Sequence, residues 1–183
     1  MAIFKDYLEN KSPLILHGAL GTEMESLGYD ISGKLWSAKY LLEKPEVIQK
    51  IHETYVAAGS DLITTSSYQA TLPGLIDAGL TKEEAEQIIA LTVQLAKDAC
   101  DKVWATLDET EKAKRPYPLI SGDVGPYAAY LANGSEYTGD YGQITIKELK
   151  EFSSPSNSNS SRSGCRFVGF GNHSESSGST SFD

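Results

Sequence analysis

The chain has 183 residues, is 40% apolar and carries a formal net charge of −9. That apolar content supports one domain-sized core, while the acidic balance argues against nucleic acid or an anionic membrane as the main partner, since both need clustered Lys and Arg. No apolar run approaches a membrane span, the opening MAIFKDYLENKSP is not patterned as a signal peptide, and two cysteines, Cys100 and Cys165, form neither a disulfide framework nor a CxxC pair; the expectation is a cytoplasmic protein.

PLILHGALG places Pro13 before a short apolar run, Leu14 to Leu16, and ends at Gly18 and Gly21. This predicts a buried strand and a tight turn. In KPEVIQKIHETYVAAGSD, Pro45 suits a first helical turn, Val47, Ile48, Ile51, Tyr55 and Ala58 share a face, and Gly59 suits the position after the helix. His52 falls on the expected solvent side of that helix. DLITTSSYQ then predicts a second buried strand through Leu62 and Ile63, with hydroxyl residues at its C-terminal end.

LTKEEAEQIIALTVQLAKDACDKVW is the clearest helix. Thr81 and Glu84 form a capping-box pattern. Ala85, Ile88, Ile89, Thr92, Leu95, Ala96, Ala99 and Val103 keep the helical period, with Cys100 on the same apolar side. YPLISGDVGPY predicts a third strand, and TIKELKEF opens another helix with Thr145 as N-cap and Glu148 three residues on. Short apolar strands alternating with helices predict parallel βαβ units in an α/β fold. A doubly wound sheet and a (β/α)8 barrel compete. GALGTE is not a GxGxxG turn with an acidic partner downstream, so a dinucleotide fold lacks support. A barrel gathers its chemistry at the C-terminal strand ends. Here those ends read HGALGTE, TTSSYQA and GDVGPY.

At these ends, and across LWSAKYLLEKPEVIQKIHETYVAAGSD and GDVGPYAAYLANGSEYTGDYG, the sequence resembles the homocysteine S-methyltransferase family, in the branch that uses S-methylmethionine. The resemblance covers about residues 13–152. It implies the first three βα units of a TIM barrel, so a partial (β/α)8 barrel, with homocysteine as methyl acceptor and S-methylmethionine or S-adenosylmethionine as donor. It also implies zinc in the full-length family, held by three cysteines after the sixth and eighth strands. Cys100 and Cys165 match none of these positions, so no metal is expected bound by this chain. The carried-over substrate-binding residues are Gly18 and Ala19 in the first turn, Thr65, Ser66 and Tyr68 at the second strand end, and Gly125 with Tyr127 at the third. His17 stands where many members have an aspartate that helps hold the substrate's amino group. Read without the resemblance, the glycines serve tight turns, Thr65 and Ser66 end a strand, and the tyrosines pack. Asn133 to Ser135 spells a glycosylation acceptor, irrelevant in a cytoplasmic chain.

The expected organisation is a barrel portion over residues 1–152 and a disordered, serine-rich tail over 153–183, which holds 12 serines and too little apolar surface to offset its ordering entropy. The expected function is homocysteine S-methylation by descent, with no turnover by this chain alone. One alternative is a non-catalytic fragment that self-associates or pairs with another chain through open sheet edges. The other is an unrelated α/β enzyme that uses the HGALGTE turn for phosphate. The tail has a specific expected origin. Reading its codons one base out of register, with permitted synonyms, turns SSPSNSN into HRPRIQI and leads on to LLEAGVDLLG, as the family continues after this point. Sequencing the encoding DNA checks this: an alternate frame that carries on into the later strands and an adjacent-cysteine motif is expected, and its absence overturns the frameshift.

Overall fold

The computed structural model describes residues 13–152. The serine-rich segment, with Cys165 and the expected disorder, lies outside the described residues. Two short strands, β1 (Leu62–Thr64) and β2 (Leu119–Ser121), pair in parallel with Leu62 opposite Leu119 and Thr64 opposite Ser121. On its other edge Leu62 forms a parallel bridge to Leu16. The three expected strand positions are therefore neighbours in chain order, and all run the same way.

Helices fill the connections: α1 (Leu20–Ser26), α2 (Lys39–Glu43) after a 3-10 turn at Trp36–Ala38, α3 (Pro45–Ala57), α4 (Leu72–Asp77), α5 (Lys82–Thr106), α6 (Glu109–Lys112), α7 (Tyr127–Leu131) and α8 (Ser135–Thr138). A further helix runs from 146 to 152. Among the described residues, no helix is long and apolar enough to cross a membrane.

The predicted helix signals do the work expected of them. Thr81 N–H donates to Glu84 Oε2 at 2.8 Å, and Glu84 N–H donates back to Thr81 Oγ1 at 3.2 Å, so two orphan donors at the start of α5 are satisfied reciprocally. Thr145 and Glu148 repeat the arrangement. Gly59, at φ +101°, ends α3: its N–H reaches Val56 O and that of Ser60 reaches Tyr55 O, the paired closure that needs a left-handed residue.

α3 and α5 pack together and against the sheet. Ile48, Ile51, Leu75, Ala85 and Ile89 belong to one buried cluster. Val56, Ile63, Ala96 and Cys100 form a second, with Ile120 packed against it. Full burial of one such aliphatic side chain contributes about 1.5–3 kcal/mol. Ile63 and Ile120 are paired in register, so this face of the sheet carries the helix layer. Glu53 ties α3 to α5 through Lys102 at 2.8 Å and pairs within α3 with Lys50 at 3.4 Å. Burial acts to raise its carboxyl, and the two ammonium partners outweigh that and lower it.

Four expectations change. The first strand is a single bridge rather than a buried strand: Ile15 is 52% and Leu16 57% exposed. Successive strand residues face opposite sides, so each face of that segment leaves one large apolar side chain more than half exposed. Ala58 is exposed because it is the residue at which α3 closes, outside the helical face. The third strand is half-buried at Leu119 and Ile120 rather than buried throughout. His52 sits inside, 1% exposed, not on the surface.

The placement of His52 has a measurable consequence. Neither ring nitrogen has a hydrogen-bond partner among the described residues. Burial first, and the charge of His17 second, push its pKa down to about 4 from 6.5. The unfolded chain then takes up a proton that the folded chain refuses, so stability is full above pH 6.5 and is lost as pH falls from 6.5 toward 4. Denaturant unfolding is expected to show about 2 kcal/mol less stability at pH 5 than at pH 7 from this group. His52→Leu is expected to remove most of that difference; an unchanged pH dependence in the variant would show that the histidine is not its source.

Candidate functional site

The C-terminal ends of the three strand positions lie side by side, and the sequence loads them with hydroxyls and glycines. Thr65, 2% exposed, is the joint between the second and third. Its N–H donates to Ser121 O at 2.9 Å, continuing the ladder one residue past β1. Its hydroxyl oxygen accepts from Asp123 N–H at 2.9 Å. Ser67 Oγ donates to Asp123 O at 2.5 Å. Since that proton is committed, the 2.7 Å contact between Thr65 and Ser67 has Thr65 as donor. Two side chains thus take up both backbone groups of Asp123 and leave its carboxyl group free of these bonds. Burial pushes that carboxyl up to about 6.

Gly125 is required by close approach. A Cβ there would stand 1.8 Å from Tyr68 O, which no relaxation of a side chain can relieve. The loops after the second and third strands are therefore in backbone contact. The Tyr68 phenol is half-buried beside them. Burial raises its pKa first, and the nearby charges of Glu136 and Asp123 add to the effect. Ser66 is 7% exposed, and its hydroxyl has no partner among the described residues. Tyr127 begins α7 and packs with Tyr130 and Phe152, ring centroids 5.7 and 5.3 Å away.

The first turn is held mainly by α3. A Cβ on Gly18 would lie 2.7 Å from the Tyr55 ring, and the Tyr55 hydroxyl donates to Ala19 O at 3.1 Å. His17 N–H donates to Leu62 O at 3.1 Å. Its ring shares a 2.5 Å hydrogen bond between Nε2 and Thr64 Oγ1, and Nδ1 has no partner among the described residues. The ring packs on Tyr55 and edge-on to His52, at 5.5 and 6.2 Å between centroids. Burial lowers its pKa, against a smaller raising effect from the Gly18 backbone. His17 is thus a neutral group at neutral pH.

Two features are not legible from spacing alone. Asp123 is one residue among many in GDVGPY until the structure shows its backbone locked and its side chain half-buried. Trp36 is held at φ +46°, a left-handed conformation for a bulky residue, of the kind that clusters at functional sites. It lines a cleft of about 470 Å³ with Glu25, Tyr29, Asp30, Ile31 and Ser32. The Asp30 carboxyl is held down at about 2 by hydrogen bonds from Ser32 and by Lys39.

The zinc implied by the resemblance does not fit these residues. No cluster of three His, Cys, Asp or Glu that could hold a metal occurs among the described residues. Cys100 is fully buried on α5, away from the strand ends, and burial pushes its thiol up to about 12, with the Asp101 charge adding.

Comparison with known proteins identifies the family. The family model for homocysteine S-methyltransferase matches residues 14–170. Homocysteine S-methyltransferase YbgG of Bacillus subtilis (strain 168) is 45% identical over 142 residues, 78% of this chain and 44% of its own length. Homocysteine S-methyltransferase 1 of Zea mays is 42% identical over 139 residues, 75% of this chain and 43% of its own. The chain therefore spans less than half the length of these curated relatives. The homocysteine methyltransferase MmuM of Escherichia coli superposes in its oxidized form with a TM-score of 0.79 at 36% identity, covering 88% of this chain and 53% of that one. Its metallated form gives 0.76, with 55% of that chain covered. The chain belongs to the homocysteine S-methyltransferase family.

Proposed function

We propose that residues 13–152 form the first three βα units of an eight-stranded barrel and the amino-acid-holding wall of a homocysteine S-methyltransferase site. The reaction moves a methyl group from S-methylmethionine, or S-adenosylmethionine, to the sulfur of homocysteine and gives methionine. What carries this reading is the convergence of Thr65, Ser66, Tyr68, Asp123 and Gly125 at the strand ends, where locked backbone surrounds the half-buried Asp123 and a Ser66 hydroxyl without a partner among the described residues.

Both substrates present an ammonium group, which needs a negative partner in a buried site. His17 cannot supply one, being neutral at neutral pH. Asp123 can: with its carboxyl at about 6, most of it is ionised at neutral pH. The resemblance puts an aspartate at the position of His17 in many members, and we assign that task here to Asp123. Gly18 and Ala19 give the ligand close access to backbone. A sulfonium donor is also a cation, and the Trp36 and Tyr29 rings beside the Glu25 carboxylate suit one.

Thiol activation falls outside these residues. The sequence has two cysteines, one of them the protonated core thiol of Cys100, so a three-cysteine set is not available from it. The phosphate-binding reading is disfavoured: although the first N–H groups of α1 carry no side-chain cap, Glu23 in its first turn opposes an anion.

Titration calorimetry is expected to detect homocysteine or S-methylmethionine binding to the chain. Asp123→Asn is expected to weaken it about tenfold, ~1.4 kcal/mol, without loss of fold, because the bonds that hold Asp123 use its backbone. An assay with homocysteine, S-methylmethionine and zinc is expected to form no methionine. Absence of binding would sink the site, equal binding by the variant would sink the role of Asp123, and robust turnover would refute the claim about thiol activation.

A further inference from the structure

We propose that Asn133 is a site of spontaneous deamidation, and that Ser135 accelerates it. Asn133–Gly134 is the sole Asn-Gly pair in the sequence. It lies between α7 and α8, where Ala132 and Gly134 both adopt left-handed backbone, at φ +50° and +83°. Asn133 is exposed. Its Oδ1 accepts a hydrogen bond from Ser135 N–H at 3.0 Å and a second, shorter one from the Ser135 hydroxyl.

The ring closed by the Ser135 N–H bond contains the Gly134 nitrogen. The side-chain carbonyl group of Asn133 is thereby held within the same closed loop of atoms as the backbone nitrogen that must attack it. Gly134 has no Cβ to hinder that approach, and a Cβ placed there would meet nothing within 4 Å, so the surroundings are open to water.

The chemistry balances with water alone. The Gly134 nitrogen gives its proton to a solvent base and bonds to Asn133 Cγ. Charge develops on Oδ1, where two donors from Ser135 already point, the arrangement that stabilises an oxyanion at an acyl carbon. The bond from Cγ to the side-chain nitrogen breaks, and that nitrogen takes a proton and leaves as ammonia. Water then opens the cyclic imide at either carbonyl, giving aspartate or isoaspartate. One water is consumed and one ammonia is released, with no change of oxidation state.

The product carries a new carboxylate close in sequence to Glu136, whose charge already acts on Tyr68. Deamidation thus adds negative charge next to the strand-end wall, and isoaspartate also lengthens the backbone at the start of α8.

The test is peptide-level mass spectrometry of the full chain, incubated folded at mildly alkaline pH, with isoaspartate detection. Conversion is expected at Asn133 ahead of the other asparagines. Asn133→Gln is expected to abolish it. Ser135→Ala, which keeps the backbone donor and loses the hydroxyl, is expected to slow it roughly three- to tenfold, the size of one hydrogen bond. Ser135→Thr, which keeps the hydroxyl, is expected to retain most of the rate. Circular dichroism establishes that each variant is folded. Asn133 remaining intact in the folded chain, or Ser135→Ala converting at the wild-type rate while folded, overturns the proposal.

Discussion

A three-residue strand cannot hold its own register, and β1 is held by a side chain at each end. Below it, the Asp61 backbone and carboxylate grip the first strand: Ile15 N–H donates to Asp61 Oδ2 at 3.0 Å, and Asp61 N–H donates to Ile15 O at 2.8 Å. Asp61 O in turn accepts from Leu119 N–H at 2.8 Å, which ties in the third strand. Above it, Thr65 accepts from Asp123 and donates to Ser67. Both residues are almost fully buried. In a low-dielectric site such bonds are strong, and leaving one partner alone is correspondingly unfavourable. The strand ends that carry the polar residues are therefore fixed relative to one another by polar contacts of their own, beyond the short ladder.

The first strand position depends on a different support. Its ladder contact is one bridge, and its apolar residues Ile15 and Leu16 are over half exposed. The turn that follows is nevertheless well placed, because Tyr55 from α3 fills the space above Gly18 and bonds Ala19 O. α3 is anchored in turn by its buried Ile48, Ile51 and Val56 and by Arg115, whose guanidinium donates to Val56 O at 2.9 Å. The HGA turn is thus positioned by the crossover helix that leads from it to β1, so the geometry of the first strand end is kept although its outer edge is unpaired among the described residues. An apolar edge left unpaired among the described residues is of the kind that pairs with another strand.

Much of this was legible in advance where the local physics is decisive. The capping pairs Thr81–Glu84 and Thr145–Glu148 have a fixed spacing and a single geometric meaning. The apolar period of α5 placed Cys100 in the core, where it is. β1 and β2 announced themselves as short apolar runs bounded by turn residues. What failed depends on neighbours. Leu14 to Leu16 has the same composition as a buried strand, and its exposure follows from what lies beside it. His52 is polar and was placed on the solvent side, yet α3 is covered on that side by His17 and the sheet. The short helices α1, α2, α4, α6, α7 and α8 are each under eight residues, too short for periodicity to register. Asp123 was invisible for another reason: its distinction is that Thr65 and Ser67 bind its backbone, and no spacing in one sequence encodes that.

The sheet separates two chemical environments. On the helix side, Ile63, Ile120, Ala96 and Cys100 make an apolar layer in which a thiol is pushed up to about 12. A sulfur there stays protonated at any physiological pH, and the thiolate is the nucleophilic form. At the strand ends, backbone held by hydroxyls surrounds a carboxyl at about 6 and a serine hydroxyl with no partner among the described residues. Desolvation acts in both places, and its effect depends on what else is present. In the helix layer it silences the titratable group. At the strand ends it leaves Asp123 mostly charged at neutral pH but poorly solvated, so a cation that replaces the missing water gains more there than at an exposed carboxylate. A carboxylate so placed suits an ammonium group, whereas the surroundings of Cys100 do not support a thiolate.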